Sequence, residues 1–147
     1  MRPFKQMSFR SLPEAPRIPH GFYATEGREH LLRGSPFSGT RMHYRVHGSG
    51  PPLILIHGLM TAGYSWRYVL EPLGAHYTLY IPDLPGSGRS ECADRDYHPD
   101  HVADAIGAFI RELDLAGAPV IGNSMGGYLC MRLAMREHVA AIETALE

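Results

Sequence analysis

The sequence predicts an α/β fold, a mostly parallel sheet of about five strands with helices on both faces. Three observations predict it. Strand and helix signals alternate from Glu29 onward. Leu53 to Ile56 is a continuous apolar run, as expected of a strand covered on both faces. Glycine-bearing loops follow three of the apolar strands, where such sheets carry their ligands.

Residues 1–27 are rich in Pro and Arg without a sustained period, and are expected to form an extended arm ordered where it docks. Residues 28–147 are expected to form the globular core. "REHLLRG" and "TRMHYRVHG" read as two strands joined by Ser35, Pro36, Ser38 and Gly39. In the second, Met42, Tyr44 and Val46 alternate with Arg41, His43 and Arg45, which predicts one buried and one wet face. "PPLILIHG" is a central strand, "AGYSWRYVLEPLG" a short helix ending at Gly74, and "HYTLYIPD" a strand stopped at Pro82 by "DLPGSGRS".

Val102, Ile106, Phe109, Ile110 and Leu113 recur at helical spacing, with Pro99 suited to the first turn. "APVIGNS" is a further buried strand, and "MGGYLCMRLAM" opens a helix whose Met125, Met131 and Met135 are expected to pack in the core. In "REHVAAIETALE", Val139, Ile142 and Leu146 are again helically spaced, so the helix is expected to run on. The strand Pro119–Gly122 would then be an open apolar edge, expected to self-associate or to recruit a partner.

Net charge is -1, from 14 basic and 15 acidic residues without a basic patch, so neither nucleic acid nor an anionic membrane is the expected partner. No apolar run reaches about 18 residues and no secretory h-region is present, which makes a cytoplasmic location the expectation. Cys92 and Cys130 do not make a disulfide framework, and Cys130 reads as a buried thiol. The 9 histidines fall into no Cys/His ligand spacing, so neither metal nor cofactor is expected.

Right-handed crossovers would gather the loops "HGLM", "DLPGSGRS" and "GNSMGG" at one sheet edge. Gly122-Asn123-Ser124-Met125-Gly126 fits the G-x-S-x-G nucleophile elbow in its strand–turn–helix context. A strand reversing into a helix within a residue holds the Ser124 hydroxyl outward, while the glycines let backbone pass close by. The helix start offers unpaired N–H groups suited to a developing oxyanion. Met125 N–H is one expected donor and Leu59 N–H, after the first of these loops, is the other.

"LILIHGL", "YIPDLPGSGRS" and "VIGNSMGGYL", in that order over roughly residues 30–135, resemble signatures of the alpha/beta-hydrolase family. The resemblance is to the subgroup of esterases, C–C bond hydrolases, epoxide hydrolases and dehalogenases. It implies a serine nucleophile at Ser124 and a small-molecule ester or related carbonyl substrate. Epoxide hydrolases and dehalogenases carry Asp there, and Asn123 is common among C–C bond hydrolases.

Simpler readings stand beside these. Ser124 could be a serine in an ordinary glycine-rich turn. Asp83 is expected to bond within its own loop, and His57 to order the oxyanion loop. Neither glycine-rich loop has the Lys of a phosphate-binding loop.

The resemblance also implies a triad acid and His after Ser124. His138 is in the right order, but on a continuing helix it would lie roughly 21 Å along the axis from Ser124. The sequence therefore resembles the N-terminal part of a hydrolase sheet, without the usual acid and His. A non-catalytic fragment or interaction protein is the alternative expectation.

Overall fold

A six-stranded sheet organises the computed structural model, which describes residues 18–135 and, as backbone, 142–145. The strands are β1 (Glu26–Leu31), β2 (Arg41–Gly48), β3 (Pro52–Ile56), β4 (Thr78–Pro82), β5 (Val120–Asn123) and β6 (Ile142–Ala145). They lie in the order β1-β2-β4-β3-β5-β6. β3 pairs parallel with β4 and β5, and β6 parallel with β5, while β2 pairs antiparallel with both β1 and β4. Only β2, among the described strands, runs against the rest.

Side-chain alternation sends the two sets of each strand to different cores. Met42, Tyr44, Ile54, Ile56 and Val120 pack under α2 (Pro99–Glu112) and α3 (Met125–Met135). Leu53, Leu55, Leu79 and Ile81 pack on the opposite face against Phe22, Trp66 and Leu70. Ile54, Ile56, Ile106 and Phe109 are wholly covered, and each contributes roughly 1.5–3 kcal/mol relative to exposure. Phe22, within the expected arm, lies in a 3-10 turn (Phe22–Ala24) and is buried.

The helix α2 is also tied to the first hairpin. Glu112 accepts from the N–H groups of Arg33 and Gly34 (3.1 and 2.9 Å) and meets His30 Nε2 at 2.7 Å. Burial pushes the Glu112 carboxyl up, but His30 and the two amides outweigh it and hold the carboxyl below its usual range.

Four expectations are corrected. The stretch 62–74 is not one helix but a 3-10 turn (Gly63–Trp66) and a short α1 (Leu70–Gly74). A helix through all of it would put Pro72 inside, without an N–H and with its ring against a carbonyl. Starting at Leu70 places Pro72 in the first turn, where no N–H bond is lost.

The chain returns as β6 rather than continuing α3, so β5 is not an open edge. An unpaired ladder beside β5 has more to gain from a strand than a short helical extension has from its own bonds. His138 itself lies outside the described residues, and the helical distance argued for it loses its premise.

Met131 and Met135 are exposed. The helix α3 covers the sheet with Gly126, Gly127, Leu129, Cys130 and Leu133, and a helix on a sheet face has an outward side whatever its composition. Finally, the polar set of β2 is wet at Arg41 but not beyond it: His43 and Arg45 are both buried. The 3-10 turn at Phe22 and the loop after β3 cover that face.

Among the described residues, no helix is long and apolar enough to cross a membrane.

Candidate active site

β5 stops at Asn123 and α3 starts at Met125, so Ser124 alone makes the reversal, at φ 53°. The left-handed region is costly for a residue with a Cβ, on the order of 1–3 kcal/mol, and persists only where the surroundings impose it. Here they do. A Cβ on Gly122 would collide with the backbone of Gly126 and Gly127, and one on Gly126 with the carbonyl oxygens of Ile56 and His57. Three stretches of main chain are pressed together with no side chain between them, which fixes where the helix starts. Ser124 is exposed, and its carbonyl accepts from Tyr128 N–H at 3.2 Å, opening the helical ladder.

The loop after β3 lies against this elbow. A Cβ on Gly58 would come within 3.2 Å of Ser124 Cβ and 3.3 Å of the Asn123 side-chain oxygen. Leu59, the next residue, is 66% exposed, and Met60 beyond it sits at φ 57°. Met125 N–H belongs to the first turn of α3, where no carbonyl of the helix can take it. Neither the Leu59 nor the Met125 amide donates to another group among the described residues. The loop therefore sets Gly58, the residue before Leu59, against Ser124, the residue before Met125, at the rim of the sheet.

His57 is fully buried beneath that loop. Leu84 N–H donates to its Nε2 at 2.9 Å, so Nδ1 carries the proton and donates to Gly58 O at 2.8 Å. Thr61 Oγ1 also donates to Gly58 O, at 2.9 Å. Burial lowers the His57 pKa and keeps the ring neutral. Both nitrogens are committed, so the ring braces the Gly58 turn against the start of the next loop. It has no lone pair to offer as a base.

Asp83 is buried and turned into its own loop. Its carboxylate accepts from Gly63 N–H (2.8 Å), Arg89 N–H (3.0 Å) and His43 Nδ1 (3.0 Å). Ser90 Oγ donates to Asp83 O at 2.7 Å and accepts from His43 N–H at 2.9 Å. Gly88, at φ +55°, passes so close to the carboxylate that a Cβ would overlap it. The buried His43–Asp83 pair is a feature that sequence reasoning missed, because His43 stood in the set assigned to solvent.

Residues 51–143 match the family model described as the alpha/beta hydrolase fold. The chain is similar to an N-formylmaleamate deformylase of Pseudomonas putida, 37% identical over 99 residues, covering 66% of this chain and 37% of that one. It is also similar to a 2-hydroxymuconate semialdehyde hydrolase of a Pseudomonas species, 35% identical over 103 residues, covering 67% and 36%. Among solved structures, the epoxide hydrolase CorEH superposes with a TM-score of 0.73 at 30% identity, over 81% of this chain and 41% of that chain. The chain spans 28% to 37% of the length of such curated relatives.

Proposed function

This chain belongs to the alpha/beta-hydrolase family, and from that premise we propose that Ser124 is the nucleophile of an acyl-transfer reaction on a small ester or related carbonyl compound. Ser124 Oγ adds to the carbonyl carbon, and the carbonyl electron pair moves onto oxygen. The Leu59 and Met125 N–H groups receive that oxyanion, in a site where fixed donors need no rearrangement. Collapse expels the alcohol, which takes the proton that the base removed from Ser124 Oγ, and leaves an acyl-serine, which water then cleaves to the acid and free serine. The observation that carries this reading is the exposed Ser124 in a left-handed conformation at the strand–helix junction.

His57 is not the base in this scheme, since both ring nitrogens are already bonded. The base and its acid come from outside the described residues. Similarity to a deformylase and a semialdehyde hydrolase favours a small-molecule substrate. Serine at 124 argues against epoxide chemistry, despite the likeness to an epoxide hydrolase structure. A cytoplasmic location belongs to the same reading, supported by the free thiols of Cys92 and Cys130.

A fluorophosphonate probe tests the proposal. Covalent labelling at Ser124, lost in Ser124→Ala, is the expected result. A folded chain that stays unlabelled overturns it and leaves the non-catalytic reading, in which the sheet docks onto a partner.

A further inference from the structure

The buried polar face of β2 borders a pocket of about 190 Å³, walled by Phe22, Tyr23, Tyr64, Arg45, Asp83 and Arg89. We propose that this pocket binds the carboxylate of a small organic monoanion, with Arg45 and Arg89 as its cationic partners. The inference is independent of Ser124 and of the reaction assigned to it.

Arg45 carries the argument. It is only 6% exposed, yet every partner it has is neutral. Nη1 donates to Thr25 O at 2.8 Å and to Thr25 Oγ1 at 3.2 Å. The guanidinium carbon stands 4.9 Å from the Phe22 ring centre and 5.9 Å from that of Tyr23. Among the described residues no carboxylate pairs with it. A covered charge without a counter-ion is among the most expensive features a fold can keep, and one that faces a cavity is where a ligand of opposite sign binds.

Asp83 does not fill that role, because its oxygens are taken by Gly63, Arg89 and His43. Arg89 uses its backbone N–H there, while its exposed side chain lines the pocket. Two permanently charged guanidinium groups stand against the one carboxylate of Asp83 in this lining, an excess that suits a monoanion. The guanidinium fork matches a carboxylate in the plane.

The walls fit a flat apolar body behind that group. Tyr23 and Tyr64 are stacked with ring centres 5.5 Å apart, and Phe22 meets Tyr64 edge-on at 5.3 Å. Asp83 ends β4 and Ala62 lies in the loop after β3, so the pocket opens at the same sheet edge as Ser124. With β3 between β4 and β5, the two are separated by two strand spacings, roughly 10 Å.

Calorimetric titration of the 147-residue chain with sodium benzoate tests this, against sodium chloride and inorganic phosphate at matched ionic strength. Expected is saturable benzoate binding, weakened about tenfold or more in Arg89→Gln and in Arg45→Lys, and unchanged in Ser124→Ala. Arg89 is exposed, so its variant keeps the fold even if the Arg45 variant does not. Four results overturn the proposal: no saturable benzoate binding, equal heats from chloride, tighter binding of phosphate, or full affinity in Arg89→Gln. Loss of binding in Ser124→Ala overturns it too, by moving the anion to the nucleophile.

Discussion

Two glycine-rich loops leave the same edge of the sheet and treat their polar residue in opposite ways. After β4, Asp83 turns inward, and Gly88 folds over a carboxylate that takes three donors. After β5, Ser124 is left outside, and Gly122 and Gly126 bring backbone onto backbone instead of onto the side chain. The first arrangement satisfies its polar group completely. The second leaves it exposed in a strained conformation, and the close packing beneath offsets the cost. Glycine enrichment alone does not distinguish a locked turn from a site; the direction in which the glycines make room does.

The largest effect should come from the packing beneath Ser124. Gly126→Ala and Gly122→Ala each force a Cβ into main chain, which cannot yield as a side chain end can. A loss of about 3 kcal/mol or more is expected in urea unfolding. A loss under about 1 kcal/mol would break the claim that backbone contact holds the elbow. Next is Asp83→Ala, which orphans His43 and the Gly63 and Arg89 amides in the interior and should cost about 2–3 kcal/mol. Ser124→Ala, at the exposed counterpart, should stay within about 0.5 kcal/mol of the parent. Equal losses for the two would erase the contrast between the loops.

Smaller than the glycine and Asp83 losses, and opposite in sign, is the effect of Ser124→Gly. It relieves the left-handed strain and should raise stability by about 1 kcal/mol while abolishing probe labelling. No gain would mean that residue 124 is not strained.

The smallest effect concerns His57, which ties the loop after β3 to the start of the loop after β4. Its folded pKa is lowered from 6.5, so the unfolded chain takes up its proton first as pH falls. Its contribution is full above pH 6.5 and is lost as pH drops towards the folded value. Urea midpoints between pH 5 and 7.5 should show that slope, reduced in His57→Gln. An unchanged slope in the variant would show that another group carries it.

The elbow was legible because G-x-S-x-G encodes a backbone event, in which small residues flank one outward side chain. The strands β3 to β5 and the helix α2 were legible because their apolar spacing matches how they are buried. The cover over β2 was not. Alternation assigns His43 and Arg45 to one side of the strand, but cannot say what lies on that side. Their cover comes from Phe22, Tyr23 and Tyr64, brought in from elsewhere in the chain. The helical spacing around Ile142 failed for a related reason, since a neighbouring ladder outweighed a local preference. The role of His57 depends on Leu84, 27 residues on, and no local pattern announces that partner.

The tie from Glu112 to the first hairpin has a consequence for how the chain acquires its structure. The amides of Arg33 and Gly34 and the ring of His30 wait for a carboxylate 78 to 82 residues downstream. During synthesis, β1 and β2 leave the ribosome long before α2 exists to anchor them, and β4 emerges only in between. Contacts that close such long loops form late. The hairpin is therefore first made and last secured, and amide exchange on the growing chain should show its protection arriving only after Glu112.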